Sequence, residues 1–193
     1  MKQQGTDTIV NAAWNSRAST QPLLRAIPVV LAGSAFIALS ARVQIPMWPI
    51  PMTMQTFAVL LVALAFGARL AVVTVAAYLA QGALGLPVFA GGGGLPYLAG
   101  PTAGYLYAFL AVALVIGHLG DRGWGRGLAR AFAATLVGTA LIYAIGASWL
   151  AGYVGFDQAV ALGVAPFVIG DLLKAALAAL LVPAAWKLLR APR

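Results

Sequence analysis

The chain has 193 residues, 62% of them hydrophobic and 8% charged, with a mean hydropathy of +0.93 and a formal net charge of +8. That balance belongs to an integral membrane protein of one compact bundle and excludes a soluble domain. With no cysteine, no glutamate and His118 as the single histidine, disulfides, thiol nucleophiles, cysteine metal sites and HExxH chemistry are excluded as well. The basic residues stand singly between apolar runs, a distribution that does not point to nucleic acid.

Residues 1–22 are polar, carry Lys2 and Arg17, and show no apolar periodicity, so they are predicted to form a flexible or surface-lying cytoplasmic leader. Ala38-Leu39-Ser40 would pass as a signal-peptide cleavage site. The charged region before the apolar run is too long, however, and the run itself is of spanning length, which predicts an uncleaved first helix. Residues 23–190 then form a single membrane domain.

Six apolar segments are predicted near Leu23–Ala41, Met52–Phe66, Leu70–Gly85, Thr102–Leu119, Leu128–Leu150 and Ala165–Leu189, each bounded by Pro, Gly or charge. The second and third fall below the ~20 residues that spanning requires. Adjoining loops that dip into the bundle would complete them, because irregular backbone at membrane depth must be buried in protein or line a cavity. With both termini inside, Lys2, Arg17, Arg25, Arg69, Arg122, Arg126, Arg130, Lys187, Arg190 and Arg193 lie on the inner side and only Arg42 outside. The positive-inside rule therefore predicts cytoplasmic termini, and the net charge reads as a topology signal. The expectation is an all-α, six-helix, multi-pass protein of the plasma (inner) membrane.

The outer loops carry the unusual sequence. Arg42–Pro51 reads RVQIPMWPIP, and prolines so spaced predict an extended, stiff segment. Leu86–Gly104 contains Gly91, Gly92, Gly93 and Gly94 in a row, either a plain turn or a backbone nest that aims N–H groups at a carboxylate. No Lys-Ser or Lys-Thr follows, so the nucleotide-loop pattern fails. In Ala151–Val164, Asp157 sits where it would N-cap a short lid helix. Trp48, Phe89, Tyr97 and Tyr105 share the outer side, as an interfacial aromatic belt or as walls for an apolar ligand body. Gln44, Gln55 and Gln81 are the uncharged polar residues at segment ends or within segments, and Gln81, just before the glycine loop, is the one placed near a pocket.

The last segment carries Asp171 and Lys174. An ionised side chain in hydrocarbon costs roughly 2.5–3.5 kcal/mol, so two of them imply a partner, a cavity or a task. The i, i+3 spacing puts both on one face, and at about 1.5 Å per residue Asp171 lies on the order of 9 Å below an outer end at Ala165. They could staple the helix to a neighbour as an ion pair. Alternatively, a carboxylate that accepts N–H bonds beside an ammonium that donates to a carbonyl complements a cyclic urea or amide. An intramembrane enzyme would need a nucleophile and base, and this inventory leaves only Asp, Lys and hydroxyls. No catalytic or metal-binding residue and no cofactor is expected.

The ordered blocks IPMWPIPMTMQTFAVLL, AYLAQGALGLPVFAGG, GPTAGYL and PFVIGDLLKAAL resemble the BioY family, the biotin-binding substrate-specificity subunits of energy-coupling-factor (ECF) vitamin transporters. The resemblance runs from Ile45 to the last helix and implies a six-helix fold with both termini inside. It implies that Asp171 and Lys174 hold the ureido ring, that Gln81 occupies a polar position in the third segment, and that the glycine loop, helped by Arg42, receives the valerate carboxylate. The aromatics would enclose the rest of the ligand. It further implies uptake of biotin from outside, with energy from a membrane coupling subunit and two ATPase subunits. The coupling surface is expected as an Ala-xxx-Ala stripe on the first helix, approximated here by Ser34-xxx-Ala38, with a solitary or self-associated form as the alternative. A specificity subunit for another small vitamin and a non-transporting assembly protein are the competing functions.

Overall fold

The structure, a computed structural model, describes residues 8, 9 and 22–190. Apart from Thr8, Ile9 and Pro22, the leader expected over residues 1–22 lies outside the described residues. The described elements run α1 Pro22–Ser40, β1 Gln44–Ile45, β2 Met52–Thr53, α2 Gln55–Phe66, α3 Ala68–Ala83, α4 Leu95–Leu98 and α5 Ala103–Asp121. A 3-10 turn at Trp124–Arg126 leads to α6 Leu128–Val154, α7 Phe156–Gly163, a second 3-10 turn at Ala165–Phe167, and α8 Val168–Arg190.

Among the described residues, three helical stretches are long and apolar enough to cross a membrane: Ala103–Asp121, Leu128–Val154 and Phe156–Leu188. Ala26–Ser40, Gln55–Phe66 and Ala68–Ala83 are shorter apolar helices. At about 1.5 Å per residue, α2 is only ~18 Å long. Gly67, with φ +79°, is the hinge between α2 and α3, a conformation open to glycine without strain. The Asp121 carboxylate accepts the Ala68 N–H at 3.1 Å and so caps α3 from α5.

Helix α5 is the centre of the bundle, packed on α2, α3 and α6, while α8 leans on α6 and α2 and α1 covers α3. Leu60, Val112, Ile116, Ala134 and Ile142 are buried at these contacts. Small residues let the backbones close up. A Cβ at Gly138 would collide with Leu60, and one at Gly146 with the Tyr105 ring. Leu173, Leu180 and Ile169 of α8 are exposed apolar residues on the opposite face, which suits a helix with lipid on one side and protein on the other.

Three local expectations change. Arg42–Pro51 is not simply extended: Gln44 pairs with Thr53 and Ile45 with Met52 in an antiparallel hairpin. Pro46, Pro49 and Pro51 cannot donate to a ladder, so it stops after two pairs and the loop folds Ile50 inward. Helix α7 forms, but Gly155 is its N-cap and Asp157 lies within its first turn, where a carboxylate still favours the helix dipole. Ser34 is 1% exposed and accepts a hydrogen bond from Gln81 of α3 at 3.0 Å. The Ser34-xxx-Ala38 pair thus has its serine turned into the bundle rather than along an outward docking stripe.

Candidate functional site

A cavity lies where the hairpin, the glycine loop and the first turns of α8 meet. Its walls come from Ile50, Pro51 and Thr53 of the hairpin and Gln55 and Thr56 of α2. Ala90 and Tyr97 close the loop side, Tyr105, Leu106 and Phe109 project from α5, Ile142 and Tyr143 from α6, and Phe167, Asp171 and Lys174 from the α8 side. The empty space is about 520 Å³ with its mouth counted.

Its charged pole is built on the start of α8. Asp171 is 3% and Lys174 8% exposed, and Lys174 Nζ donates to Asp171 Oδ1 at 2.8 Å. Thr56 Oγ1 donates to the same oxygen at 3.0 Å, and the Tyr143 hydroxyl donates to Oδ2 at 2.8 Å. The carboxylate also lies in the first turn of α8, where the helix dipole favours negative charge. Three donors and one dipole satisfy it in an apolar surrounding, as a buried charge requires. The ammonium has three protons and gives one to Asp171.

A neutral polar wall faces this pole. Gln55 Oε1 accepts from Thr53 Oγ1 at 3.1 Å, and its amide nitrogen donates to the Tyr78 hydroxyl, which donates on to the Val88 carbonyl at 3.3 Å. Tyr105 reaches the cavity because Gly146 gives its ring room, and its hydroxyl donates to the Gly163 carbonyl at 2.9 Å.

Of the residues put forward as the site from the sequence, Asp171, Lys174, Tyr97 and Tyr105 line the cavity. The others stand elsewhere. Gln81 turns its amide to Ser34. Phe89 is fully buried, edge-on to Tyr78 at 5.4 Å and stacked on Tyr97 at 5.1 Å, so it supports the wall from behind. Trp48 is 81% exposed. Arg42 donates to the Pro87 carbonyl, tying the hairpin to the glycine loop. The glycine run is not an open nest: the Gly91 N–H goes to the Tyr97 hydroxyl at 3.3 Å and the Gly92 N–H to the Phe89 carbonyl at 3.2 Å. Gly93 fits because a Cβ there would strike the Leu86 carbonyl. Among these loop residues only Ala90 and Tyr97 line the cavity.

Sequence reasoning passed over Tyr143, Thr56, Thr53 and Phe109. Tyr143 lies in an uninterrupted apolar run, and nothing local distinguishes it from an interfacial tyrosine. Gln55 carried a signal, as an amide opening an apolar helix, but Gln81 carried an equal one.

A helical membrane bundle with a small polar cavity at one end defines the class. The chain belongs to the BioY family, whose model matches residues 10–191. It is 40% identical to the probable biotin transporter BioY of Pyrococcus horikoshii over 148 residues, 76% of this chain and 87% of the relative. It is 41% identical to the biotin transporter BioY of Thermotoga maritima over 150 residues, 77% of this chain and 88% of that one. The crystal structure of the S-component for biotin from an ECF-type ABC transporter superposes with a TM-score of 0.74 at 25% identity, covering 88% of this chain and 95% of the other. This is a transporter family and not an enzyme family.

Proposed function

We propose that this protein is a high-affinity biotin-binding subunit of the plasma membrane, which captures biotin from outside and passes it inward. The observation that carries the reading is the buried Asp171–Lys174 pair in the cavity wall. The ureido N–H groups donate to Asp171 and the ureido oxygen accepts from Lys174, which gives both charges partners that lipid cannot supply. The valerate carboxylate points toward the glycine loop. There Arg42 and the Gly91 N–H give up the Pro87 carbonyl and the Tyr97 hydroxyl for an anionic acceptor, since charge-assisted hydrogen bonds are roughly twice as strong as neutral ones. That exchange loosens the loop against the hairpin, which lets the ligand enter between them. Titration calorimetry on detergent-purified protein freed of copurified ligand tests it, with one-to-one heat on adding biotin expected. A flat trace overturns it, and heat only with another vitamin reassigns the ligand.

The reading extends to six membrane-crossing helices with both termini cytoplasmic. It also extends to a membrane coupling subunit with two ATPase subunits as the source of energy, a solitary or self-associated form being the alternative. The charge asymmetry supports the orientation. Because the chain has no cysteine, single cysteines report topology cleanly. A Cβ at either Gly127 or Gly152 meets nothing within 4 Å, so both sites tolerate the change. In intact cells a membrane-impermeant maleimide is expected to label Gly152→Cys and spare Gly127→Cys. The reverse pattern would invert the topology.

A further inference from the structure

The glycine loop and the turn that follows it, α4, are held in two different ways. The loop is tied to the hairpin, by Arg42 on the Pro87 carbonyl and by the Gln44 amide on the Ala90 carbonyl at 3.3 Å. The end of α4 is tied to the bundle instead. The Tyr107 hydroxyl of α5 donates to the Leu98 carbonyl at 2.7 Å, and the Tyr153 hydroxyl of α6 donates to the Ala99 carbonyl. The Trp149 indole N–H, also of α6, donates to the Gly100 carbonyl at 3.0 Å. Three consecutive carbonyls thus each receive one aromatic donor. They close a single turn that buries none of its residues fully and leaves its last carbonyls without donors of its own. Burial gives such a turn little hold on the bundle, so these hydrogen bonds carry it.

The donors are set up by their own packing. Trp149 and Tyr153, at i, i+4, share one face of α6, and the Tyr107 ring meets Trp149 edge-on at 5.5 Å. A Cβ at Gly104 would collide with Trp149, so glycine at the start of α5 gives the indole its place beside the turn. An interfacial belt accounts for three part-exposed aromatic rings; it does not call for three donors aimed at successive carbonyls. Tyr97 is the residue of α4 that lines the cavity. We infer that Tyr107, Trp149 and Tyr153 are positioning residues for the ligand: they clamp α4 to α5 and α6 and so keep Tyr97 in the cavity wall. When the hairpin and the glycine loop part to admit a ligand, the movement stops at Gly94, and Tyr97 presents the same wall before and after.

The inference rests on the cavity being the biotin site, but hydrogen exchange on the ligand-free chain tests the clamp without that reading. The amides of Tyr97, Ala99 and Gly100 and that of Gly92 are all hydrogen-bonded to backbone carbonyls. In the unaltered chain the first three should exchange at least about threefold more slowly than Gly92, because only they lie in the clamped turn. Tyr107→Phe, Trp149→Phe and Tyr153→Phe together keep an aromatic ring at each position and remove each donor. This variant should exchange about tenfold faster at 97–100 and within about twofold of the unaltered chain at Gly92. Equal rates at the two places in the unaltered chain, or unchanged exchange at 97–100 in the variant, overturns the inference. Biotin titration supplies the readout that a merely structural role would not move. The triple variant should bind about tenfold more weakly, whereas on a Tyr97→Ala background the same three changes should cost less than about twofold. Undiminished affinity, or losses that add in full, overturns the inference. Should the triple variant not fold, Trp149→Phe alone is read in the same way, with about threefold expected in each measurement. An unaltered chain that binds no biotin yet exchanges slowly at 97–100 overturns the biotin reading and supports the clamp.

Discussion

Asp171 with Lys174 on α8, and Gln81 with Ser34 across α3 and α1, are both polar pairs sunk in apolar helices. Both are hydrogen-bonded within the protein, at 2.8 Å and 3.0 Å. They differ in what lies beside them. The first pair forms part of a cavity wall and gathers Thr56 and Tyr143 around one carboxylate. The second spends the Gln81 amide on a hydroxyl that itself donates to the Leu31 carbonyl at 3.1 Å, closing a local link between neighbouring helices. A buried polar group in a membrane segment thus marks a binding site only when some of its bonding capacity faces open space; otherwise it is helix glue of modest worth.

The comparison breaks most visibly at the charged pair. Asp171→Asn removes the charge that Lys174 answers, and Lys174→Ala leaves a buried carboxylate short of a donor. Removing one member of such a pair costs about 3–5 kcal/mol. Either change should lower biotin affinity by up to about a hundredfold in calorimetry, since each also removes a charge-assisted bond to the ligand worth roughly 1.5–3 kcal/mol. The paired replacement Asp171→Leu with Lys174→Met sharpens the point. Exchanging a whole buried ion pair for apolar side chains of similar size is often neutral or stabilising, so this variant should keep or raise its Tm and bind no biotin. A collapse of Tm in the double variant would make the pair a staple after all, and its place in the cavity wall incidental.

Tyr143→Phe acts one step further out. The hydroxyl gives Asp171 one of its donors and holds the carboxylate in orientation without carrying charge. A hydrogen bond to a charged group contributes about 1.5–3 kcal/mol, and the open cavity lets water replace part of it. An affinity loss of about tenfold is expected, with Tm moved little, read by titrating the variant beside the unaltered chain. A loss as large as that of Asp171→Asn would mean the hydroxyl meets the ligand itself.

The helices were legible because their apolar runs end in Gly, Pro or charge: the expected Leu128–Leu150 and Thr102–Leu119 correspond to Leu128–Val154 and Ala103–Asp121. Asp171 and Lys174 were legible because charge inside an apolar run is costly wherever it occurs. Tyr143 and Thr56 were not, since a hydroxyl in such a run is inexpensive and gives no periodic signal; only the meeting of α2, α6 and α8 makes each a cavity-facing group. The glycine run was legible only in part. Its backbone freedom suggested an anion nest, but the Tyr97 hydroxyl and the Phe89 carbonyl already take up the N–H groups of Gly91 and Gly92. Where a loop's donors point depends on aromatic packing that no local pattern encodes.

Gln81 gives the smallest expected effect and the most direct check on the contrast. Its side chain is half-buried between α3 and α1, it lines no part of the cavity, and its nearest service is the hydrogen bond to Ser34. Gln81→Ala should leave biotin affinity within about twofold, and it should cost on the order of 1 kcal/mol of stability, the net worth of one neutral hydrogen bond. The Ser34 hydroxyl keeps its own bond to Leu31, so the deletion strands no donor, which holds the penalty near that figure. Thermal melts and calorimetry on one preparation separate the two quantities. An affinity loss of tenfold or more at unchanged Tm would mean that α3 turns on ligand entry to bring this amide into the cavity, which would join the second polar pair to the first.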